Sequence, residues 1–284
     1  MQAKFLNISA YRFVSINDLA GLRERLRAAS AAAGLKGTVL LAPEGINLFL
    51  AGEPEKLQDW IAWLRTDARF AGIEAKESWS EHQPFNRMLV KLKKEIVTMR
   101  QPQVKPAGVR APAVRPADLK RWLDAGHDDG GRSVVMLDTR NAFEVGVGTF
   151  HGALDPVMRS FSQFPERVNA LRGEFSHKTV VTFCTGGIRC EKAALYMQDH
   201  GFENVFQLDG GILKYFEDVG GPHFKGECFV FDRRVALSPD LKEAGSVECF
   251  NCRAVVSLRD QQEESYILGK SCPHCEGRKV VKKV

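Results

Sequence analysis

The sequence predicts an α/β protein of 284 residues with three parts: an N-terminal α+β domain, a central α/β domain with a parallel sheet, and a small cysteine-rich tail. Three observations predict it. Strand-like and helix-like hydrophobic periods alternate along residues 1–220. A stretch carrying Pro102, Pro106 and Pro112 interrupts that alternation. All seven cysteines lie beyond it, four of them in two CxxC pairs.

Within residues 1–100, AKFLNIS reads as a strand. Asn17 is placed to cap a helix running to about Ala33, with Leu19, Leu22 and Leu26 on one face. TVLLA and INLFLAG flank the PEG turn and predict a hairpin. A second helix starts near Pro54, and Leu57, Trp60, Ile61 and Leu64 recur at helical spacing. MLVKLKKEIV is read as the final strand. The order β-α-β-β-α-β is the split βαβ of a ferredoxin-like domain.

Residues 101–115 read as a stiff, basic, Pro-rich linker. From 116 to 220, VVMLD, VVTFC and VFQL are short buried-type strands, and helices follow near Asn141, Ile188 and Ile212. This is the pattern of a parallel sheet. Residues 221–284 form the cysteine-rich C-terminal region.

Hydrophobic residues make up 44% of the chain, enough for sizeable cores and unlike a disordered protein. The N-terminus lacks the apolar run of a signal peptide. No apolar stretch reaches the length of about 18 residues that a spanning helix needs. A cytoplasmic protein without a membrane partner is expected, and its cysteines then read as catalytic or metal-binding. Net charge is +5 but unevenly spread. Between Asn86 and Ala117 stand eight basic residues, Lys91, Lys93 and Lys94 among them, and one acid, Glu95. Such a strip suits a polyanion such as RNA, or a solvated face beside a linker.

The most informative segment is VVTFCTGGIRCEKAALYMQDHG. A β-branched strand delivers Cys184 to a short loop, Thr185, Gly186, Gly187 and Ile188, and a helix follows. Loop amides and helix dipole favour negative charge at the sulfur, and Arg189 adds a cation. Together they predict a lowered thiol pKa and a nucleophilic thiolate. Cys184 and Arg189 are catalytic candidates, and the four loop residues are substrate-binding candidates. Four residues separate Cys184 from Arg189, one fewer than in the wider phosphate cradle of cysteine phosphatases, so phosphatase chemistry is disfavoured. Cys190 is placed either to resolve an oxidised Cys184 or to pack; Cys228 reads as core.

LDTRNAFEVGVGTFHGA (137–153), CTGGIR (184–189) and LDGGI (208–212) resemble the entry, active-loop and closing motifs of rhodanese domains. The resemblance implies a persulfide-forming or nucleophilic Cys184. It implies scaffold or pocket roles for Asp138, Arg140 and Glu144, and structural roles for His151 and Asp209. Over nearly the full chain, GTVLLAPEGIN (37–47), VKLKKEIVTM (90–99), CTGGIRCEKAALYM (184–197) and GECFVFDRRVAL (226–237) together resemble the tRNA uridine(34) hydroxylase family. That family is rhodanese-related. The resemblance implies O2-dependent oxidation of the wobble uridine to 5-hydroxyuridine, with the tRNA anticodon loop as partner. Lys91, Lys93 and Lys94 would then hold phosphates while Cys184 meets a base splayed from the loop. Phe183 and Phe206 are candidates for stacking it, or core residues.

No flavin or nicotinamide fingerprint is evident, so no organic cofactor is expected, and the electron donor is unknown. One mechanism adds the Cys184 thiolate to C6 of uracil and raises electron density at C5. The competing chemistry is a Cys184 persulfide, which in the alternative reading makes the protein a rhodanese-type sulfurtransferase. A third reading is a non-catalytic RNA-binding module.

Cys249-Phe-Asn-Cys252 and Cys272-Pro-His-Cys275 carry the spacing of a four-cysteine zinc ribbon. AVVSL and SYILG between them read as strands. A structural Zn2+ is expected to supply the tail's folding energy.

Overall fold

The computed structural model describes residues 4–275. Its first unit is a five-stranded sheet with two helices: β1 Phe5–Phe13, α1 Leu19–Ala32, β2 Lys36–Ala42, β3 Gly45–Gly52, α2 Pro54–Arg65, β4 Ala75–Ser80 and β5 Met88–Leu92. The strand order is β4-β1-β3-β2-β5. The first four strands are the antiparallel ferredoxin-like unit. β5 adds to its edge, parallel to β2.

Three local expectations change. The strand that closes the ferredoxin-like unit is AKESWS of β4, and MLVKL is the added edge strand. AKESWS shows only weak alternation, with few apolar residues to mark an inner face. α1 begins one residue later than expected, with Asp18 at its N-cap; the Asp18 carboxylate takes Arg25 and Arg69 and makes no cap hydrogen bond. In the tail, Val255–Val256 is a strand, whereas SYILG runs into a tight turn closed by Ile267 and Ser271.

Alternation assigns the two faces of the first sheet. Leu6, Ile8, Ile46, Leu48 and Leu50 point into the core with Leu22, Leu26, Leu57 and Trp60 from the helices. Asn7, Ser9, Tyr11 and Asn47 take the other face. That face turns toward the second unit.

The second unit contains β6 Ala113–Val114, α3 Pro116–Ala125, β7 Val134–Asp138, α4 Ala142–Val145, β8 Gly148–Phe150, α5 Phe164–Ala170, β9 Thr179–Phe183, α6 Ile188–Asp199, β10 Val205–Leu208 and α7 Gly211–Val219. Its parallel sheet has the order β6-β10-β9-β7. β9, in the middle, is buried along its whole length, as a strand covered on both faces must be. The segment between the units is anchored to this core through Met99, Val104 and Ala111.

After α7, β11 Phe224–Gly226 pairs with β8. β12 Cys228–Phe229 pairs with β13 Ala236–Leu237. Cys228 packs in the core beside Phe150 and Phe183. β14 Val247–Glu248 and β15 Val255–Val256 then lead into the cysteine cluster.

Candidate active site

Cys184 sits where β9 ends, at the edge that open parallel sheets use for ligands. It is fully buried. The Gly187 amide donates to its Sγ at 3.1 Å. Gly187 achieves this with φ of 95°, a left-handed conformation suited to glycine. A Cβ there would stand 3.0 Å from the Tyr11 hydroxyl, so the loop and β1 are in close contact. α7 fixes the loop from the other side. The Ile212 and Leu213 amides donate to the Cys184 and Thr185 carbonyls at 2.9 and 3.1 Å. A Cβ on Gly211 would lie 2.5 Å from the Cys184 carbonyl oxygen, which explains the second glycine of LDGGI.

Burial alone would raise the Cys184 pKa. Hydrogen bonding from Cys190, the Arg189 charge and the amides of Arg189 and Cys190 outweigh it, and the thiol is lowered to about 6. Cys190 moves the opposite way: burial and the neighbouring Cys184 push it well above its ordinary value. Cys190 is therefore the protonated partner, and its Sγ lies 3.7 Å from the Thr139 hydroxyl.

The structure qualifies the expected part of Arg189. Its guanidinium is buried and forms a two-point pair with Glu144, both contacts 2.7 Å. Glu144 also accepts from the Asn141 amide at 3.1 Å. Much of the Arg189 charge is thus answered by a carboxylate, and the pair braces the loop. Arg140 and Asp138 form a second buried pair, with Arg140 also donating to the Gly148 carbonyl at 2.6 Å. His151 is exposed and joins His223 through its backbone amide. Asp209 accepts from Arg110 at 2.6 Å.

The cavity over Cys184 is about 60 Å³. Cys184, Thr185, Gly186, Ile188 and Arg189 form its floor. Its roof comes from the other unit and was not legible as a site: Asn7, Ser9 and Tyr11 of β1, Asn47 and Phe49 of β3, Lys76 and Ser78 of β4. One wall is the segment after β12, with Phe231, Asp232 and Arg234. Arg234 pairs with Asp232 at 2.6 Å and donates to the Ser78 hydroxyl at 2.7 Å, tying that wall to the roof. Asn47 is buried, and among the described residues its amide has no protein hydrogen-bond partner; it opens onto the cavity. Phe183 is in the core, and Phe206 packs edge-on to Trp122. The aromatic rings at the cavity are instead Tyr11, Phe49, Phe85 and Phe231, with Phe49 and Phe231 6.3 Å apart.

A wider cleft of about 350 Å³ adjoins the cavity and shares Tyr11 and Lys76 with it; Arg12 and Arg110 line its outer part. The Tyr11 hydroxyl donates to Glu191 at 3.1 Å. Burial, Glu191 and the two cysteines hold Tyr11 as a neutral phenol. Lys91, Lys93 and Lys94 are exposed and do not line either space. Other charges of the basic strip are used internally, since Arg110 pairs with Glu191 and Asp209.

The units are joined at Lys192, at the start of the second turn of α6. Its side chain is 1% exposed, and its ammonium meets Glu44 at 2.8 Å, Glu95 at 2.7 Å and the Val97 carbonyl at 3.0 Å. Glu44 belongs to the PEG turn, Glu95 to VKLKKEIVTM and Lys192 to CTGGIRCEK. Three motifs far apart in sequence meet at one buried cation.

The four tail thiols cluster with their sulfurs within 4.8 Å of one another. Three Sγ–Sγ distances are 3.6, 3.8 and 3.8 Å. Zinc–sulfur bonds of about 2.3 Å at tetrahedral angles separate sulfurs by about 3.8 Å, so the cluster has the size of a metal site. The Cys272 amide and the Asn251 side chain donate to Cys275 Sγ at 3.3 and 3.5 Å, the kind of support that metal-bound thiolates receive.

Comparison with known proteins agrees with this division. Residues 5–96 match a family described as the UPF0176 acylphosphatase like domain, and residues 116–218 match the rhodanese-like domain. A protein of Cupriavidus taiwanensis named tRNA uridine(34) hydroxylase is 62% identical over 276 residues, 97% of this chain and 98% of that one. The chain belongs to the tRNA uridine(34) hydroxylase family. Members with the same name from Cupriavidus metallidurans and Ralstonia nicotianae are 61% and 59% identical, each over 96% of both chains. Family membership thus spans the first unit, the Cys184 unit and the cysteine tail together. No described helix is long and apolar enough to cross a membrane.

Proposed function

We propose that this protein hydroxylates uridine 34 of tRNA, converting the wobble base to 5-hydroxyuridine with Cys184 as nucleophile. The observation that carries the reading is identity near 60% over the full chain to proteins named for that reaction. The buried thiolate-type Cys184 beneath a cavity lined by amide, hydroxyl and aromatic side chains supports it. A flipped uracil needs stacking surfaces and donors and acceptors for its edge, and Phe49, Phe231 and Asn47 offer both.

In this reading the thiolate adds to C6, and the negative charge spreads to C5 and O4. C5 then takes one oxygen atom from O2. The second oxygen leaves as water, which requires two electrons and two protons from a reductant. Loss of the C5 proton and departure of the thiolate restore the ring. The Gly187 amide and its neighbours in the Thr185–Ile188 loop would hold developing negative charge, and Arg189 would fix the loop that presents them. Lys91, Lys93 and Lys94 would hold tRNA phosphates at a distance from the chemistry. We assign a structural zinc ion to Cys249, Cys252, Cys272 and Cys275, where it would pin the two knuckles. The site of action is the cytoplasm.

The test is mass spectrometry of tRNA nucleosides from cells lacking the gene, complemented by wild type or Cys184→Ala. Wild type restores 5-hydroxyuridine and the variant does not. Robust sulfur transfer from thiosulfate to cyanide, with 5-hydroxyuridine unchanged by deletion, would instead establish a sulfurtransferase.

A further inference from the structure

We propose that Lys76, contributed by the N-terminal unit, is the positioning cation of the Cys184 site, holding the sulfur as a thiolate only when the two units are docked. This rests on the reading of Cys184 as nucleophile. The geometry comes from three neighbours. In the β1–β4 register Lys76 stands directly opposite Ser9, so the two side chains project from the same face. Ser9 marks where that face meets the loop, because a Cβ on Gly186 would lie 3.8 Å from the Ser9 hydroxyl. On the far side, a Cβ on Gly210 would lie 3.4 Å from Lys76 Cε. The lysine stem therefore runs between Ser9 and LDGGI, whose Gly211 packs on the Cys184 carbonyl. Lys76 lines both the Cys184 cavity and the outer cleft.

Charge accounting adds Lys76 to the more obvious cation, Arg189, whose charge already lowers the Cys184 pKa. Arg189 is held at two points by Glu144. Lys192 is held by Glu44 and Glu95, and Arg110 by Glu191 and Asp209. Among the described residues the Lys76 ammonium has no ion pair; it lies over the face of Tyr11, 5.4 Å from the ring centroid. The groups that face it are Cys184 from the loop, Glu74 beside β4, Asp209 and Arg110, and Tyr11. Burial lowers the pKa of Lys76, while Cys184, Glu74 and Asp209 act to raise it. The groups that face Cys184 from its own unit are Arg189 and Cys190. A cation that no carboxylate contacts among the described residues, and on which Cys184 acts more strongly than Glu74 or Asp209, is placed to be answered by the thiolate itself.

The experiment titrates Cys184 by ultraviolet thiolate absorbance, taking the difference between each full-length protein and the same protein carrying Cys184→Ser. In Lys76→Gln the thiolate midpoint moves up by about one pH unit, and at pH 6 the thiolate fraction falls about fivefold. Lys76→Arg keeps the wild-type midpoint. Coincident midpoints in Lys76→Gln and wild type overturn the proposal. If Lys76→Gln fails to fold, the reciprocal measurement decides. The Lys76 amine, followed by NMR after isotopic methylation, titrates lower in Cys184→Ser than in wild type, because coupling between sites is mutual. An unchanged Lys76 midpoint overturns the proposal equally. The readouts separate it from the proposed function: a shifted thiolate together with full hydroxylation by Cys184→Ala sinks the function and leaves the coupling standing.

Discussion

The molecule has two cysteine centres, and they are built in opposite ways. The tail assembles four thiols from two CxxC knuckles, each ligand pair fixed by a tight local turn. The Cys184 centre assembles one thiol from two folded units. Its floor is a single loop, but its roof is the polar face of a sheet more than a hundred residues away in sequence. Local construction makes a site whose spacing announces it. Construction across an interface makes a site whose second half resembles an ordinary solvated sheet face until the units dock.

That contrast can be broken at several points. The largest effect is expected from Cys184→Ala. It abolishes 5-hydroxyuridine in cellular tRNA while metal content of the purified protein is unchanged; loss of both would show that the centres are not independent. The converse is Cys252→Ser, or treatment with a strong chelator. Metal analysis then shows loss of the proposed zinc ion, and residues near the knuckles gain rapid amide exchange. Exchange in β9 and α6 stays slow, because the four knuckle cysteines and Val256 form a cluster of their own, apart from the cores of β9 and α6.

Lys192→Met sharpens the comparison at the interface. It leaves Glu44 and Glu95 facing each other without their shared cation and costs about 2 kcal/mol of stability in denaturant unfolding. It also lowers hydroxylation, whereas metal content is unaffected. An undiminished rate would show that docking through Lys192 is not needed for the chemistry.

The smallest effect is the acid limb of the pH profile. In the proposed mechanism the active form is the thiolate, and Cys184 is lowered to about 6. Activity therefore falls as pH drops through about 6, with half the plateau rate there and a slope of one proton. A limb centred near the usual thiol range would contradict a preformed thiolate.

Much of this is legible in the amino-acid sequence. Cys184, the loop glycines and the following helix form one continuous segment, and its strand–loop–helix pattern allows little else. The knuckles are equally local. Less legible are the elements whose identity depends on what covers them. AKESWS becomes β4 because β1 offers it a pairing edge. The stretch around Val104 and Ala111 reads as a linker because its apolar residues lack a period, yet they lie against the second core. Arg189 reads as a free cation because Glu144, its partner, is on another element.

The sequence by itself determined the two domain types, the candidate nucleophile Cys184 and the four-cysteine cluster, because each is encoded by a short-range pattern: hydrophobic period, loop spacing, paired CxxC. Only the tertiary structure decided the roof of the cavity, the answering of Arg189 by Glu144, the convergence of three motifs on Lys192 and the approach of Lys76 to Cys184. The physical reason is that charges and hydrogen bonds act through space. A lysine on one strand is a surface residue or a cation beside a thiolate according to what the fold sets against it.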